Sequence, residues 1–499
     1  MLHALVAAAL ALAPADSILL RVLTINDFHG ALEPRVYPWS DGRPIGGIAA
    51  LKGTMDRLAA ECRCVSVRLD AGDQYQGTLG SNLVFGRSTI EALNLLGLDA
   101  AAIGNHDLDW GVDTLIARMK EARYPWIASN VIDSATRTRP AWAKPWAMVS
   151  AGPYRIAVIG YLTPQTKTIV MDRHVRGLHF TAGRAAFADA LAEAKAARPD
   201  FTMIVAHEGA RCSESCAGEI VELAQELDST EVDFIVAGHT HTLINTTVRG
   251  IPIVSARANG TAIGIGDLVI GADGIRRWRT RVDTVFADRV RPDSAALALV
   301  DRYRPRVDSV AHRVIVMLAD SLINTRGEHP LGNLIAEAQR RAAGADFGLM
   351  NNGGIRRALL PGPITYSDLF ELHPFGNIVV RLAVTGALLK EVLEHSVSGG
   401  TPDSHIAGLI VRYDPSRPRG DRVISMRRLN GTRITPRGRY TLGISDFLAG
   451  GGGGYAMLRP LKQRSTDRTD LEATTAWLVR QRQPVRAPKG TRWIKVAAP

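Results

Sequence analysis

The sequence predicts an α/β layered protein, and three observations predict it. Short apolar runs rich in β-formers recur at 18–25, 64–69, 100–103, 155–162, 201–206, 233–237 and 251–256. Helix-patterned segments separate them, among them 47–60 and the Ala-rich 181–197, and strand alternating with helix marks α/β layers. Polar residues crowd just past the carboxyl ends of these runs, where open α/β sheets hold their ligands. At 499 residues the chain exceeds what one core serves and calls for two domains.

Taken in order, residues 1–15 form a short apolar segment ending Ala13-Pro14-Ala15. Small residues flanking a cleavage point read as a secretory signal, so export to a periplasm or the exterior is expected. Residues 18–288 are expected to form the first domain, closed by strands within 262–285. A charged, Pro-containing helix at 289–312 then acts as linker. A new pattern fills 313–499: an amphipathic helix in "LGNLIAEAQRRA", then strand and turn in "DFGLMNNGGIR", giving a second α+β domain. No later stretch approaches the roughly 18 apolar residues of a membrane span.

The net charge of +11 suits an anionic ligand such as a phosphate ester, and equally a generic Arg-rich surface. The arginines are scattered, without a basic helix or an aromatic RNA-binding signature, which excludes a nucleic-acid polymer as partner. Four cysteines permit three pairings. The close pairs Cys62/Cys64 and Cys212/Cys216 make two local, structural bridges the simplest expectation in an oxidising compartment.

The chemistry gathers at strand ends. "NDFHG" places Asp27 and His29 two apart, able to face one side of an extended chain. "DAGDQYQG" supplies Asp73, "GNHDLDWG" supplies Asn105 and His106, "HEG" supplies His207, and "GHTH" supplies His239 and His241. A mixed oxygen and nitrogen set suits borderline divalent ions such as Zn²⁺, Mn²⁺ or Co²⁺ better than an all-oxygen calcium cage. The set is too large for one tetrahedral ion. A carboxylate bridging two ions accounts for the number, as in two-metal phosphoester hydrolysis.

These motifs, in this order, resemble those of the calcineurin-like metallophosphoesterases. Together with "LGNLIAEA", "NNGGIR", "HPFGN" and "SDFLAGGGGGY" they resemble the two-domain 5′-nucleotidases over about residues 18–465. The resemblance implies a four-layer α/β/β/α sandwich, a helical linker and a substrate-binding second domain. It implies that Asp27, His29, Asp73 and His241 hold one ion. Asp73, Asn105, His207 and His239 would hold the other, with Asp73 as the bridge. His106 matches the family's catalytic histidine and Asp109 the acid that orients it. Arg356 matches the arginine that grips the substrate phosphate, and Asn351 a substrate-contacting asparagine. Phe375 and Phe447 match two aromatics that sandwich the base. Arg326 is a further candidate, displaced by one residue from the usual arginine. The implied reaction is hydrolysis of nucleoside 5′-monophosphates to nucleoside and phosphate, by a water that the ions activate for in-line attack.

One departure bears on substrate. Relatives carry an aspartate that binds the ribose hydroxyls where this chain has Gly453. Losing it weakens ribose selection by a few kcal/mol at most (roughly, two hydrogen bonds to a charged acceptor). The chemistry is therefore expected to carry over more faithfully than the ribonucleotide preference. A 2′,3′-cyclic phosphodiesterase/3′-nucleotidase, a nucleotide-sugar pyrophosphatase, a thiosulfate-ester hydrolase, or a metal-stabilised binding module stand as alternatives.

Overall fold

The computed structural model describes residues 17–270 and 276–496, so the segment read as a signal lies outside the described residues. The first half of the chain is built on two six-stranded sheets. The first contains β1 (Ser17–Ile25), β2 (Val65–Asp70), β3 (Ala100–Ala102) and β4 (Trp126–Ile127). The second contains β5 (Trp146–Ala151), β6 (Tyr154–Leu162), β7 (Phe201–His207), β8 (Phe234–Ala237), β9 (Leu243–Val248) and β10 (Ile251–Ala256). The strands β11 (Ala262–Ile270) and β12 (Arg276–Thr284) return to the first sheet, giving the orders β12-β11-β1-β2-β3-β4 and β9-β10-β8-β7-β6-β5.

Period-two side-chain alternation decides how the sheets stack. Ile156, Val158, Met203 and Val205 point into a core shared with Leu20, Val22, Val67 and Leu69 of the other sheet. Their neighbours Ala157, Ile159, Ile204 and Ala206 face outward against helices at 188–196 and 219–225. The first sheet is covered on its own outer face by α1 (Ile48–Glu61) and the helix Arg87–Leu96. Helix, sheet, sheet and helix thus make four layers, as expected. Strands buried on both faces read as continuous apolar runs, which is why these were legible.

Two details differ from the sequence reading. The segment 181–197 is helical only from Ala188, preceded by a 3₁₀ turn at Arg184–Phe187. Gly183, at φ +66°, ψ −170°, breaks the backbone ahead of it. The expected connector is a helix, α2 (Ser294–Ala311), but its first turns do not bridge freely. Ala296, Leu299 and Val300 are buried in the outer helical core of the first sheet. Asp293 caps it, accepting from the Ala296 amide at 2.9 Å.

Beyond α2 the second half forms a five-stranded sheet from β13 (Phe347–Asn351), β14 (Ile378–Thr385), β15 (Ser404–Ala407), β16 (Arg439–Ser445) and β17 (Arg464–Thr469), in the order β15-β13-β16-β14-β17. The helices α3 (Pro330–Ala342) and α4 (Asp470–Val479) lie with it. Cysteines pair locally, Cys62 with Cys64 and Cys212 with Cys216. Among the described residues no helix is long and apolar enough to cross a membrane.

Candidate active site

Parallel pairing fixes where the polar residues meet. Strands β1, β2, β3 and β4 run parallel, as do β6, β7, β8 and β10, so their carboxyl ends emerge together. Asp27 and His29 follow β1, Asp73 follows β2, and Asn105 and His106 follow β3. His207 ends β7, and His239 and His241 follow β8. The seven ligand candidates converge here. Asp27, Asp73, Asn105 and His207 are almost wholly buried.

Five of the seven adopt left-handed backbone: Asp27 (φ 50°), His29 (50°), Asp73 (56°), His239 (68°) and His241 (55°). That conformation costs an L-residue about 1–2 kcal/mol, although Asp and His tolerate it better than bulky residues. Such strain concentrates where the surroundings over-determine a functional geometry. Sequence reading missed it, because no residue type announces it. Gly104 is needed for close approach instead, since a Cβ there would lie 2.1 Å from Asp73 Oδ1.

Hydrogen bonds fix the imidazole tautomers. His29 Nδ1 donates to the Gln76 carbonyl at 2.7 Å, and His207 Nδ1 to the Ala71 carbonyl at 2.8 Å. A backbone carbonyl only accepts, so each Nδ1 carries hydrogen and each Nε2 is left to bind a cation, proton or metal. His207 Nε2 then faces Asp73 Oδ2 at 3.1 Å and Asn105 Oδ1 at 3.0 Å. His29 Nε2 lies 3.0 Å from His241 Nε2 and 3.8 Å from Asp73 Oδ2, while His241 Nε2 lies 3.3 Å from Asp27 Oδ1. Lone pairs directed at one another from several sides are stabilised by a cation between them. Two groups, Asp27/His29/His241 and Asp27/Asp73/His207, bring their donor atoms within 4.8 Å. The donor set fits divalent metal.

The electrostatics express the same crowding. Burial works against the Asp27 charge, but His241 beside it holds the carboxyl down at about 2. Asp73 is likewise held well below the usual range, burial being outweighed by His207. Burial pushes His29 and His239 down to about 3. His207, opposed by burial yet against Asp73, is pushed up to about 10.

His106 stands beside this cluster with Nδ1 2.7 Å from Asp109 Oδ2. Burial disfavours its charged form, but the Asp109 carboxylate prevails and raises its pKa above the usual range. Phe375, from the other half of the chain, stacks on its ring at 5.2 Å between centroids and 26° between planes. A cavity of about 210 Å³ is bounded by Asn105, His106, Asp109, His239, Asn351, Arg356, Phe375, Phe447 and Gly453. Of the residues proposed for substrate, Asn351, Arg356, Phe375 and Phe447 are thus brought together. Arg326 is not. It is exposed in the loop before α3, where Gly327 at φ +85° turns the chain, and it lines none of the cavities near the metal donors.

The sequence motifs assign Asp107 no role. The structure makes it the brace of the site. Its carboxylate accepts from the amides of Asp73 (3.1 Å), Gln74 (2.9 Å) and Gly104 (2.8 Å), tying the β2 and β3 loops together. Burial, with Asp73 nearby, pushes it up to about 7. The signal was present in the second acid of "GNHD", since a fully buried carboxylate at a turn needs amide donors. A second cavity of about 430 Å³ adjoins the first across Gln76 and Arg356, and is bounded also by His29, His241, Arg35, Tyr37 and Trp39. Beside it Arg35 of the first half pairs with Glu371 of the second, a carboxylate that Arg357 also holds.

Residues 314–460 match the family model described as 5′-nucleotidase, C-terminal domain, and residues 61–271 match that of the bacterial capsule synthesis protein PGA_cap. Endonuclease YhcR of Bacillus subtilis is 30% identical over 97% of this chain, which spans 41% of the length of that relative. A 5′-nucleotidase of Vibrio cholerae is 26% identical over 87% of this chain and 85% of its own. Among solved structures, a 5′-nucleotidase precursor from Thermus thermophilus superposes with a TM-score of 0.87. It is 27% identical and is covered in full by 96% of this chain.

Proposed function

Because the chain belongs to the 5′-nucleotidase family and is a metal-dependent phosphoesterase by that membership, we propose that it hydrolyses nucleoside 5′-monophosphates to nucleoside and phosphate after export from the cell. One observation carries the reading: next to the clustered metal donors, Asn105, His239, the His106–Asp109 pair and Arg356 line one space beside two aromatic rings. Asp27, His29, Asp73 and His241 would hold one divalent ion, and Asp73, Asn105, His207 and His239 a second. Zn²⁺, Mn²⁺ or Co²⁺ suit these donors. Bound there, the ions supply Lewis-acid stabilisation of phosphoryl charge and a water of lowered pKa.

The remaining work belongs to side chains. Arg356 presents a guanidinium fork to the phosphoryl oxygens. Asp109 accepts from His106 Nδ1, leaving Nε2 to hydrogen-bond a phosphoryl oxygen and pass a proton to the leaving alkoxide. Phe375 and Phe447 enclose the base, and Asn351 contacts the substrate. We take 18–288 and 313–499 as the catalytic and substrate-binding domains, with 289–312 between them.

A second reading is favoured by Gly453 and by the larger cavity beside His241 and Arg356. Both leave room for cyclic nucleotides or nucleotide sugars on the same donors. Phosphate release from a panel of 5′-, 3′- and cyclic nucleotides and nucleotide sugars, across several metals, separates the readings. Release that EDTA abolishes and Mn²⁺, Co²⁺ or Zn²⁺ restores is expected, fastest on 5′-monophosphates. Tight nucleotide binding with no release under any metal would leave a binding module instead.

A further inference from the structure

Outside the active site, one cavity is walled by arginine. It holds about 380 Å³ at the edge of the second-half sheet, between the C-terminal end of α3, strands β14 and β17, and α4. Five arginines line it, Arg341, Arg381, Arg464, Arg468 and Arg480. None of its lining residues borders the two cavities of the active site.

Two of the five have ordinary explanations. Arg341 donates to Glu337 at 2.7 Å and lies over the Trp477 ring at 5.2 Å. Arg480 caps the end of α4, where a cation suits the helix dipole. The other three do not. Among the described residues Arg381, Arg464 and Arg468 make no ion pair with a carboxylate. Arg381 and Arg464 are moreover direct cross-strand partners in the β14–β17 register. Directly opposed residues share one sheet face, and like charges there destabilise the pair. Arg381 is only half exposed, so solvent relieves that repulsion incompletely. A chain that places three uncompensated cations around a concave space, two of them face to face, leaves the compensating charge to a ligand.

We propose that this cavity binds a compound carrying two linked phosphate groups. Guanidinium forks match phosphate oxygens bidentately. A single phosphate carries roughly −1.5 to −2 charge, short of three guanidinium groups, whereas two linked phosphates match them. The group is either free or the diphosphate of a nucleotide, whose base would lie against Trp477.

The test is calorimetric titration of the metal-loaded enzyme with methylenediphosphonate and with α,β-methylene-ADP, metal being in excess. R381Q/R464Q is compared with wild type and with R433Q/R437Q, which removes equal charge from an exposed turn. The expected result is a salt-sensitive site for both probes, weakened tenfold or more in R381Q/R464Q and unchanged in the control. Turnover of 5′-monophosphates stays at the wild-type level. Unliganded R381Q/R464Q melts no lower than wild type, because the opposed charges are gone. Should that pair fail to fold, R468Q/R480Q gives the same readout from exposed positions. W477L separates the sources: loss for the nucleotide probe alone marks a nucleotide, and no change marks a free diphosphate. Binding at the active site persists in every variant; equal weakening of the second site in the control, or its survival in both cavity variants, overturns the proposal.

Discussion

Arg356 Nη2 lies 3.4 Å from His241 Nε2. A guanidinium from the second half of the chain therefore reaches the candidate metal donors of the first. Its charge is disfavoured by burial, which lowers its pKa, and is sustained by Asp73, Asp27 and Asp109. Its guanidinium also lies 5.7 Å from the centre of the Phe375 ring. Held only by 3.4 Å contacts, Nη1 to the Gly353 carbonyl and Nη2 to His241, and among the described residues by no carboxylate pair, it keeps donors for an anion.

Replacing Arg356 with alanine removes hydrogen bonds to a charged group, each contributing about 1.5–3 kcal/mol. kcat/KM for a 5′-monophosphate is expected to fall roughly 10- to 100-fold, at about 1.4 kcal/mol per decade. Metal content, measured by atomic emission, should be unchanged, because Arg356 ligates nothing. A variant with wild-type kcat/KM would remove Arg356 from phosphate binding.

His106→Ala should cost kcat about 10²–10⁴-fold, the usual range for a general acid or base. Asp109→Asn should cost less, since it leaves the imidazole in place but loses the carboxylate that fixes its tautomer. Steady-state kinetics with metal analysis distinguish this from site collapse. If His106→Ala lost its metals as well, the histidine would be structural.

These residues were legible because each follows an apolar run that can only be a strand. A strand's end is the easiest boundary to place when the run is buried on both faces. What the residues do to the backbone was not legible. The left-handed Asp27, His29, Asp73, His239 and His241 result from sites closing around them, and so does the bracing by Asp107. Strands β5 and β9 also escaped notice. They are the two edges of the second sheet, half solvated, and so lack the continuous apolar pattern of their neighbours. Arg326 is the one candidate the structure places apart. A family motif suggested it, but the turn at Gly327 leaves it outside.

Stability should fall from acid toward neutral pH through Asp470. Burial pushes its carboxyl up to about 7 from an ordinary 3.8, so the folded chain holds that proton more tightly than the unfolded one. The cost of ionising it is absent below about 3.8, grows between the two values and is complete above 7. Urea midpoints at pH 5 and pH 8 should show a decline in wild type. Asp470→Asn, which keeps an acceptor for the Leu471 amide now bonded at 2.8 Å, should flatten it. An unchanged slope in the variant would assign the decline to other groups.

Gly453 offers the sharpest test of substrate choice. It borders the cavity of His106 and Phe447, at φ +63° and ψ 18°. A Cβ there would meet Leu448 Cδ2 at 3.5 Å and the Tyr455 ring at 3.6 Å, which is ordinary contact. The His395–Gly453 hydrogen bond of 2.9 Å, made to the backbone carbonyl, is open to any residue. Aspartate tolerates left-handed backbone better than most residues, so Gly453→Asp should fold at a cost of about 1 kcal/mol. It would restore a carboxylate for the ribose hydroxyls. The ratio of kcat/KM for a ribonucleoside over a deoxyribonucleoside 5′-monophosphate should rise about 10- to 100-fold, as expected for a charged acceptor gaining hydroxyl donors. Activity on deoxynucleotides should change little. A ratio identical to wild type, in a variant that folds and keeps its metals, would mean that the sugar does not lie against residue 453 and that the base is not held between Phe375 and Phe447.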